Sequence, residues 1–275
     1  MHLNLNPILM NCGVNFIMNQ AEYIRRMKRH KKFILFYRLL ILILFFSLWE
    51  LAARFQWIDA FIFSSPSRMF HTFISLLPGG IIWKHIGITL LETFISFILV
   101  MFLGACIAMI LWWNTSISAV LEPYLVALNS LPKTALAPVL IVWLGNNMKT
   151  IIVCALLLAV FGTIINLYAA FKTTDPDKLL LITTLDGGKK DQLTKVVIPA
   201  NIPSFIGSLK VNIGLCLVGV IIGEFLAANA GLGYLIIYSS QVFKLDTVMM
   251  AIIILCLVAT GLYGGLAFLE KKMIQ

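Results

Sequence analysis

Six apolar runs, each long enough to cross a bilayer, constrain this chain more than any other feature of its sequence. A spanning helix needs about 20 predominantly apolar residues. Such runs occupy residues 33–53, 86–113, 116–144, 150–171, 204–228 and 247–269. Inside hydrocarbon no water pairs with backbone N–H and C=O groups, so each run must satisfy its own by forming a helix. The expectation is an all-α polytopic membrane protein with about six transmembrane helices. Charged residues make up only 12% of the 275, about half of what a soluble domain carries. That excludes a soluble globular fold.

The polar connections carry most of the charge, and its distribution sets an orientation. Arg25, Arg26, Lys28, Arg29, Lys31, Lys32 and Arg38 cluster at the start of the first run. Lys172, Lys178, Lys189, Lys190 and Lys195 fall in the connection after the fourth, Lys210 just beyond it, and Lys271 and Lys272 at the carboxyl end. The opposite side collects only Arg54, Arg68, Lys84, Lys149 and Lys244, with Lys133 unassigned. Cytoplasmic loops carry the Lys and Arg excess, so both termini and the long connection are expected in the cytoplasm. The formal charge of +9 then needs no nucleic acid, and the basic run before the first span reads as a membrane anchor.

Three parts follow along the chain. Residues 1–32 form a basic amino-terminal segment, for which Met18 and Met27 offer alternative starts. Residues 33–63 hold the first span and its exit, with Trp49 and Trp57 suited to the far interface. Residues 64–275 form the core, beginning with an amphipathic surface stretch that closes on the turn Leu77-Pro78-Gly79-Gly80. No small-x-small cleavage site ends the first apolar run, so no cleavable signal is read there. The five cysteines fall one per segment without a CxxC pair, and the four histidines are isolated. The cysteines are read as small apolar residues within the helices, and no metal site or cofactor is expected.

Within the spans, Gly87, Gly104 and Ala105, and then Gly207, Gly214, Gly219 and Gly223, would let helices approach closely. Asn166 is expected to hydrogen-bond between helices, and Asp246 to cap the sixth span. The third run is broken by Pro123, Pro132 and Pro138. A broken span needs protein or a water-filled cavity beside its freed carbonyls, and in transporters such spans line the path. Pro132, Lys133 and Pro138 are therefore candidate pathway residues, a plain kink being the alternative. Glu92 lies in the outer turn of the second span. Glu224 is the ionisable group of most interest, either a pathway residue or a buried acid bonded to a neighbouring helix. Ala230-Gly231-Leu232-Gly233-Tyr234 reads as a flexible turn.

The longest polar interruption runs from Thr173 to Gly207, with a structured core over residues 173–203. Asp175-Pro176 supplies an N-cap and a proline at the first helical position. Leu179, Leu180 and Ile182 recur at helical spacing until Gly187-Gly188 breaks the run. Lys189 to Lys195 forms a short charged helix that Pro199 and Pro203 stop. Helix, glycine break and helix look like a docking piece rather than a slack connector. No GxxxxGK[ST] occurs, so nucleotide-driven work must come from a partner. GxSxG, HExxH and paired intramembrane carboxylates are absent too, which disfavours a membrane enzyme.

Asp186-Gly187-Gly188-Lys189-Lys190 through Val196-Val197-Ile198-Pro199-Ala200-Asn201-Ile202-Pro203 resembles the cytoplasmic coupling loop of binding-protein-dependent ABC importer permeases. Gly223-Glu224-Phe225-Leu226 and Gly231-Leu232-Gly233-Tyr234-Leu235-Ile236 resemble their nitrate, sulfonate and taurine branch, and Ser65-Pro66, Pro132, Ala137-Pro138 and Trp143-Leu144-Gly145 match as well. The likeness covers about residues 64–275. In the family the loop reads Glu-Ala-Ala, three residues, Gly, nine residues, Ile-x-Leu-Pro. With Pro199 as anchor, Val196 and Ile198 match, the glycine position falls on Asp186, and the Glu-Ala-Ala positions become Leu180, Leu181 and Ile182, which depart from the pattern.

This resemblance implies the MetI-like permease architecture in the cell membrane. The chain would act not as an enzyme but as the transmembrane subunit of an ATP-driven importer for a small nutrient, of the nitrate, sulfonate, taurine or pyrimidine-precursor type. Leu185, Asp186, Gly187, Gly188, Lys189, Lys190 and Pro199 would form the coupling loop, with the short helix over residues 185–193 docking into a groove of the ATPase subunit. The implied partners are an ABC ATPase, an extracytoplasmic substrate-binding protein and a second permease copy. The alternative is an ion-coupled secondary transporter. That class needs polar groups at the midplanes of several spans, and co-purification with an ATPase separates the two.

Overall fold

The computed structural model describes residues 7–274, with side chains from Tyr23 to Lys272 apart from Lys28, Lys31 and Leu35. His2, Cys12 and Met18 lie outside the described side chains. Among the described residues there is no strand, and the chain divides into two units, Met1–Ser67 and Arg68–Gln275.

The first unit is dominated by α1, Pro7–Arg54, a single helix of 48 residues. It joins the basic run and the first apolar run without a break. Its last turn carries an Arg54–Glu50 ion pair at 2.9 Å. The short α2, Ala60–Phe63, starts at Asp59, whose carboxylate accepts from the Phe61 amide. Glu50 also accepts from the amide and hydroxyl of Ser67, at 3.1 and 2.9 Å. It thereby occupies the amino end of α3, Pro66–Leu76, where a carboxylate satisfies orphan donors and complements the helix dipole.

In the second unit, the turn at Leu77–Gly80 leads into α4, Ile81–Trp113, with Gly80 at φ +65°. Asn114 caps α5, Thr115–Ser130, accepting from the Ser116 and Ile117 amides. A 3-10 turn at Lys133–Leu136 precedes α6, Ala137–Leu144. Asn147 then caps α7, Met148–Lys172. The connection contains α8, Pro176–Thr184, α9, Lys189–Gln192, and α10, Ile198–Ala200. Two long helices, α11, Ile202–Ala227, and α13, Leu245–Ile274, flank α12, Leu232–Gln241. Among the described residues five helices are long and apolar enough to span a membrane, or six if the pair Thr115–Ser130 and Lys133–Leu144, bent by 82°, counts as one broken span.

α4, α7 and α11 form the core of this unit, and small residues set their spacing. A Cβ added at Gly104 would lie 2.6 Å from Thr163 Cγ2, one at Gly219 2.5 Å from Ala155 Cα, and one at Gly223 2.9 Å from Ile151 Cα. Backbones this close exclude any side chain larger than hydrogen. Around these contacts pack Val100, Ala159 and Cys216, and beside them Ile151, Ala155, Val220 and Ala227. Gly87, Gly207 and Gly214 meet nothing within 4 Å, so they do not serve the packing expected of them. Asn166 lies on the exposed side of α7 instead of between helices. Asp246 is the second residue of α13 and holds Arg68 at 2.9 Å. Lys210 and Glu270 pair α11 with α13.

Candidate functional site

Two constellations stand out, one near the amino end of α4 and one beyond its carboxyl end. At the first, Glu224 of α11 is 1% exposed and Glu92 of α4 is 2% exposed. Thr89 Oγ1 donates to Glu224 Oε1 at 2.6 Å, and the Gly233 amide donates to Glu224 Oε2 at 2.6 Å. The Leu232 amide donates to Thr89 Oγ1 at 2.8 Å, and the Gly231 amide to His85 Nδ1 at 2.9 Å. Three successive amides at the start of α12 are thus each met by a side chain from α4 or α11, which satisfies donors that a helix amino end leaves unpaired. The residues read as a flexible turn are therefore split: helix begins at Leu232, and Gly231 is fixed.

Both glycines of Gly231-Leu232-Gly233 follow from that carboxyl. Gly231 has φ +120° and ψ 164°, a region closed to L side chains. A Cβ there would lie 2.2 Å from Glu224 Oε1, and one at Gly233 would lie 2.8 Å from Glu224 Oε2. Glu224 accordingly serves as a buried acid bonded across helices. The sequence reading found no paired intramembrane carboxylates, and here the structure corrects it: Glu92 and Glu224 are buried as neighbours where α4 packs on α11. The two are far apart in sequence, so only the packing of α4 on α11 unites them. A signal existed on α4 alone. His85, Thr89, Glu92, Thr93 and Ser96 recur at spacings of three and four, a polar stripe in an otherwise apolar helix.

At the second constellation, α8 ends in a Schellman turn. The Gly187 amide donates to Ile182 O at 2.9 Å and the Asp186 amide to Thr183 O at 3.1 Å, closing the last turn. Asp186 has φ +62°, the left-handed conformation that this motif places just past a helix end. A Cβ on Gly187 would lie 2.5 Å from Ile182 Cγ2 and 2.9 Å from Ile182 O. Gly188 then caps α9, its amide donating to Asp191.

α9 continues through a π turn at Leu193–Val197 into Ile198–Ala200, so Pro199 does not end the helix. The π turn bonds the Ile198 amide to Leu193 O, and this widened register accommodates a proline that can neither donate nor tolerate normal helical crowding. The chain breaks at Asn201 instead, and Pro203 enters the first turn of α11.

This connection is tied down on one side and bare on the other. Leu179, Leu193 and Phe205 pack against Ala108, Leu167, Phe171 and Val197. Gln192 Nε2 donates to Leu179 O and Thr183 Oγ1, Asn201 Nδ2 to Thr174 Oγ1, and Lys189 Nζ to Trp113 O at the end of α4. The outer face shows Leu180, Leu181 and Leu185, exposed by 62%, 58% and 71%. Lys190 and Pro199 are exposed as well. The Asp191 carboxyl is held below the usual range, chiefly by the Lys195 ammonium 2.8 Å away and then by the Gly188 amide.

The broken span brings none of its candidates to the buried carboxyl pair. Pro132 and Pro138 are exposed, and Lys133 Nζ donates to Asn129 O at 2.8 Å and Asn129 Oδ1 at 3.1 Å. A break bent by 82° is more than a kink. Around it Val142 and Trp143 present bare apolar side chains.

Comparison with known proteins adds an independent line. The family described as binding-protein-dependent transport system inner membrane component matches residues 100–275. The chain is similar to a probable ABC transporter permease of Haemophilus influenzae, 29% identical over 236 residues, covering 86% of this chain and 96% of the relative. It is similar to the formylaminopyrimidine transport permease ThiX of Halalkalibacterium halodurans, 29% identical over 187 residues, 68% of this chain and 74% of the relative. It also resembles a permease of Bacillus subtilis named for aliphatic sulfonates transport, SsuC, 24% identical over 255 residues, 93% of this chain and 92% of the relative.

Proposed function

Since the chain belongs to the binding-protein-dependent transport system inner membrane components and is a multi-pass inner-membrane permease subunit of an ABC importer, we propose that it converts ATPase motion into alternating access through the α8–α10 connection. The observation that carries this reading is the contrast between the two faces of that connection. A slack linker would show neither a packed inner side nor a fixed turn. A docking element needs both, because displacement is transmitted only through parts that do not yield.

The proposed docking surface is Leu180, Leu181 and Leu185, with Lys190 at its edge. Two of these leucines occupy positions where the family pattern has Glu-Ala, so apolar contact takes the place of an acidic one. An amphipathic helix laid in a groove is a standard recognition mode. From there Gln192, Leu193 and Lys189 lead to α7 and the end of α4. The remaining partners are an extracytoplasmic binding protein and a second permease copy, and both termini and the connection face the cytoplasm. Relatives named for formylaminopyrimidine and aliphatic sulfonates support a small organic nutrient as cargo.

Co-expression with its ATPase tests this. Leu181→Asp combined with Leu185→Asp is expected to abolish co-purification of the ATPase and ATP-dependent uptake into proteoliposomes. The permease itself should remain monodisperse, because both side chains are exposed. Full ATPase retention by this variant would remove the surface from the mechanism. Uptake driven by a proton or sodium gradient without an ATPase would instead favour a secondary transporter.

A further inference from the structure

The amino-terminal half of α1 carries cations that the helix itself does not balance. Arg25, Arg26, Arg29 and Lys32 are exposed, with Lys28 and Lys31 between them in the sequence. No Asp or Glu occurs between Glu22 and Glu50. Side chains on one helix meet at three or four positions apart, so Glu22 is within reach of Arg25 and Arg26 only. The far end of the same helix differs, because Arg54 is paired there with Glu50 at 2.9 Å. Arg29 and Lys32 have no carboxylate of their own helix to meet.

The height of these cations along α1 matches one layer of a bilayer. Arg54 lies 22 residues beyond Lys32, about 33 Å at the helical rise, and a hydrocarbon core is about 30 Å thick. With Arg54 at one surface, Lys32 reaches the other. Arg29 and Arg25 then stand about 5 and 10 Å further out, across the headgroup layer. Phe33 and Phe36 both pack on Tyr37, with ring centroids 6.5 and 5.8 Å apart, and aromatic side chains of this kind mark a membrane interface.

The cations also share a face with apolar residues. Arg25, Arg29, Lys32, Phe36, Leu39 and Ile43 follow one another at intervals of four and three, within an arc of about 80° on a helix of 3.6 residues per turn. Phe36, Leu39 and Ile43 are exposed by 58%, 52% and 62%. Such a stripe has the two-part chemistry of a single phospholipid, with cations at headgroup height and apolar ground beneath them for an acyl chain. The planar fork of arginine suits a phosphate bidentately. A second copy of the chain laid along the stripe would set cations against cations, and a nucleic acid would leave Phe36, Leu39 and Ile43 uncovered.

We propose that this stripe of α1 is a binding site for an anionic phospholipid, its phosphodiester held by Arg25, Arg29 and Lys32 and one acyl chain lying along Phe36, Leu39 and Ile43. Any polybasic run is drawn to an anionic surface whatever its geometry; the stripe adds a defined place and register for one lipid. The inference goes beyond the transport reading and takes from it only the name of the leaflet, cytoplasmic in the orientation proposed above.

The test titrates the full-length permease, purified with its ATPase, with phosphatidylglycerol or phosphatidylcholine and reads bound lipid by native mass spectrometry. The wild type is expected to retain phosphatidylglycerol in preference to phosphatidylcholine. Arg29→Gln combined with Lys32→Gln should weaken phosphatidylglycerol binding by about tenfold or more, since each charge near a membrane surface is worth about fivefold. Arg26→Gln combined with Lys31→Gln removes the same charge from outside the stripe and should stay within a few-fold. Equal retention of both lipids by the wild type would overturn the assignment. So would equal losses in the two double variants, which would leave only diffuse attraction, or tighter binding of a double-stranded oligonucleotide than of the lipid. Disulfide crosslinking of Phe36→Cys between two copies would give the stripe to a protein contact instead. ATPase co-purification, read on the same samples, reports separately on the permease reading and on whether the variants fold.

Discussion

Replacing Gly231 by alanine is the sharpest probe of how α12 is held. The residue is at φ +120° and ψ 164°, where a non-glycine residue costs about 1–3 kcal/mol in strain alone. The new Cβ would also fall 2.2 Å from Glu224 Oε1 and 2.3 Å from Glu224 Cδ, so the carboxyl must leave. Its departure strands the Thr89 hydroxyl and the Gly233 amide, which now donate to it at 2.6 Å each. A buried donor left unpaired costs about 1–3 kcal/mol. With two donors stranded, the sum puts Gly231→Ala at about 3–9 kcal/mol, at or beyond the size that single substitutions rarely exceed. For a chain of this size that corresponds to a fall of about 10 °C or more in Tm, measured on the detergent-purified protein. A double-mutant cycle isolates the cause. In a Glu224→Ala background the clash is gone and only the backbone strain remains, so Gly231→Ala should there cost about 1–3 kcal/mol. A loss under about 1 kcal/mol in the wild-type background, or the same loss in both backgrounds, would refute the account.

The coupling connection and the core give further expectations. Asp186→Gly removes a left-handed non-glycine residue and should stabilise the Schellman turn by roughly 1 kcal/mol, seen as slower amide exchange at Asp186 and Gly187. Gly187→Ala places a Cβ 2.9 Å from Ile182 O and should accelerate exchange at the same amides. Gly219→Val forces a branched side chain against Ala155 Cα, 2.5 Å from where its Cβ would lie; a loss of about 2 kcal/mol or more is expected, measured as Tm, with no effect from Gly214→Ala. The lowered Asp191 carboxyl contributes order to α9 that is fully present above its unfolded value of about 3.9 and lost as pH falls through its folded value. Amide exchange in α9, corrected for the intrinsic pH dependence, should therefore lose protection only below pH about 4, and Asp191→Asn should abolish that pH step.

What the sequence revealed and what it hid divide along a physical line. Spans were legible because hydrocarbon imposes one solution on each run independently: α4, α7, α11 and α13 each needed only their own twenty residues to be recognised. The connection was legible for a similar reason, since Asp175-Pro176 and Gly187-Gly188 act locally on the backbone. Its continuation through Pro199 was not, because a π turn absorbs the proline and no residue type announces one. Asp186 shows how the two kinds of information meet. Its φ of +62° explains why the family pattern has glycine there, and an aspartate tolerates that conformation better than most residues, so a mismatch in letters conceals a match in geometry. Pairwise facts stayed hidden. Gly219 and Gly223 touch α7 while Gly207 and Gly214, on the same helix, touch nothing within 4 Å, and no pattern within α11 separates them. Glu92 and Glu224 are 132 positions apart in the chain, and neither residue alone predicts the other. Yet the polar stripe from His85 to Ser96 predicts that something polar must face α4, because five buried polar side chains in one span each require a partner. Gly231 donates to His85, Leu232 to Thr89, and Glu224 accepts from Thr89, while Thr93 turns back on Thr89 O within α4. Glu92 Oε2 and Ser96 Oγ are buried without a hydrogen-bond partner among the described residues, so the stripe asks for more polar partners than the packing of α4 on α11 and α12 provides.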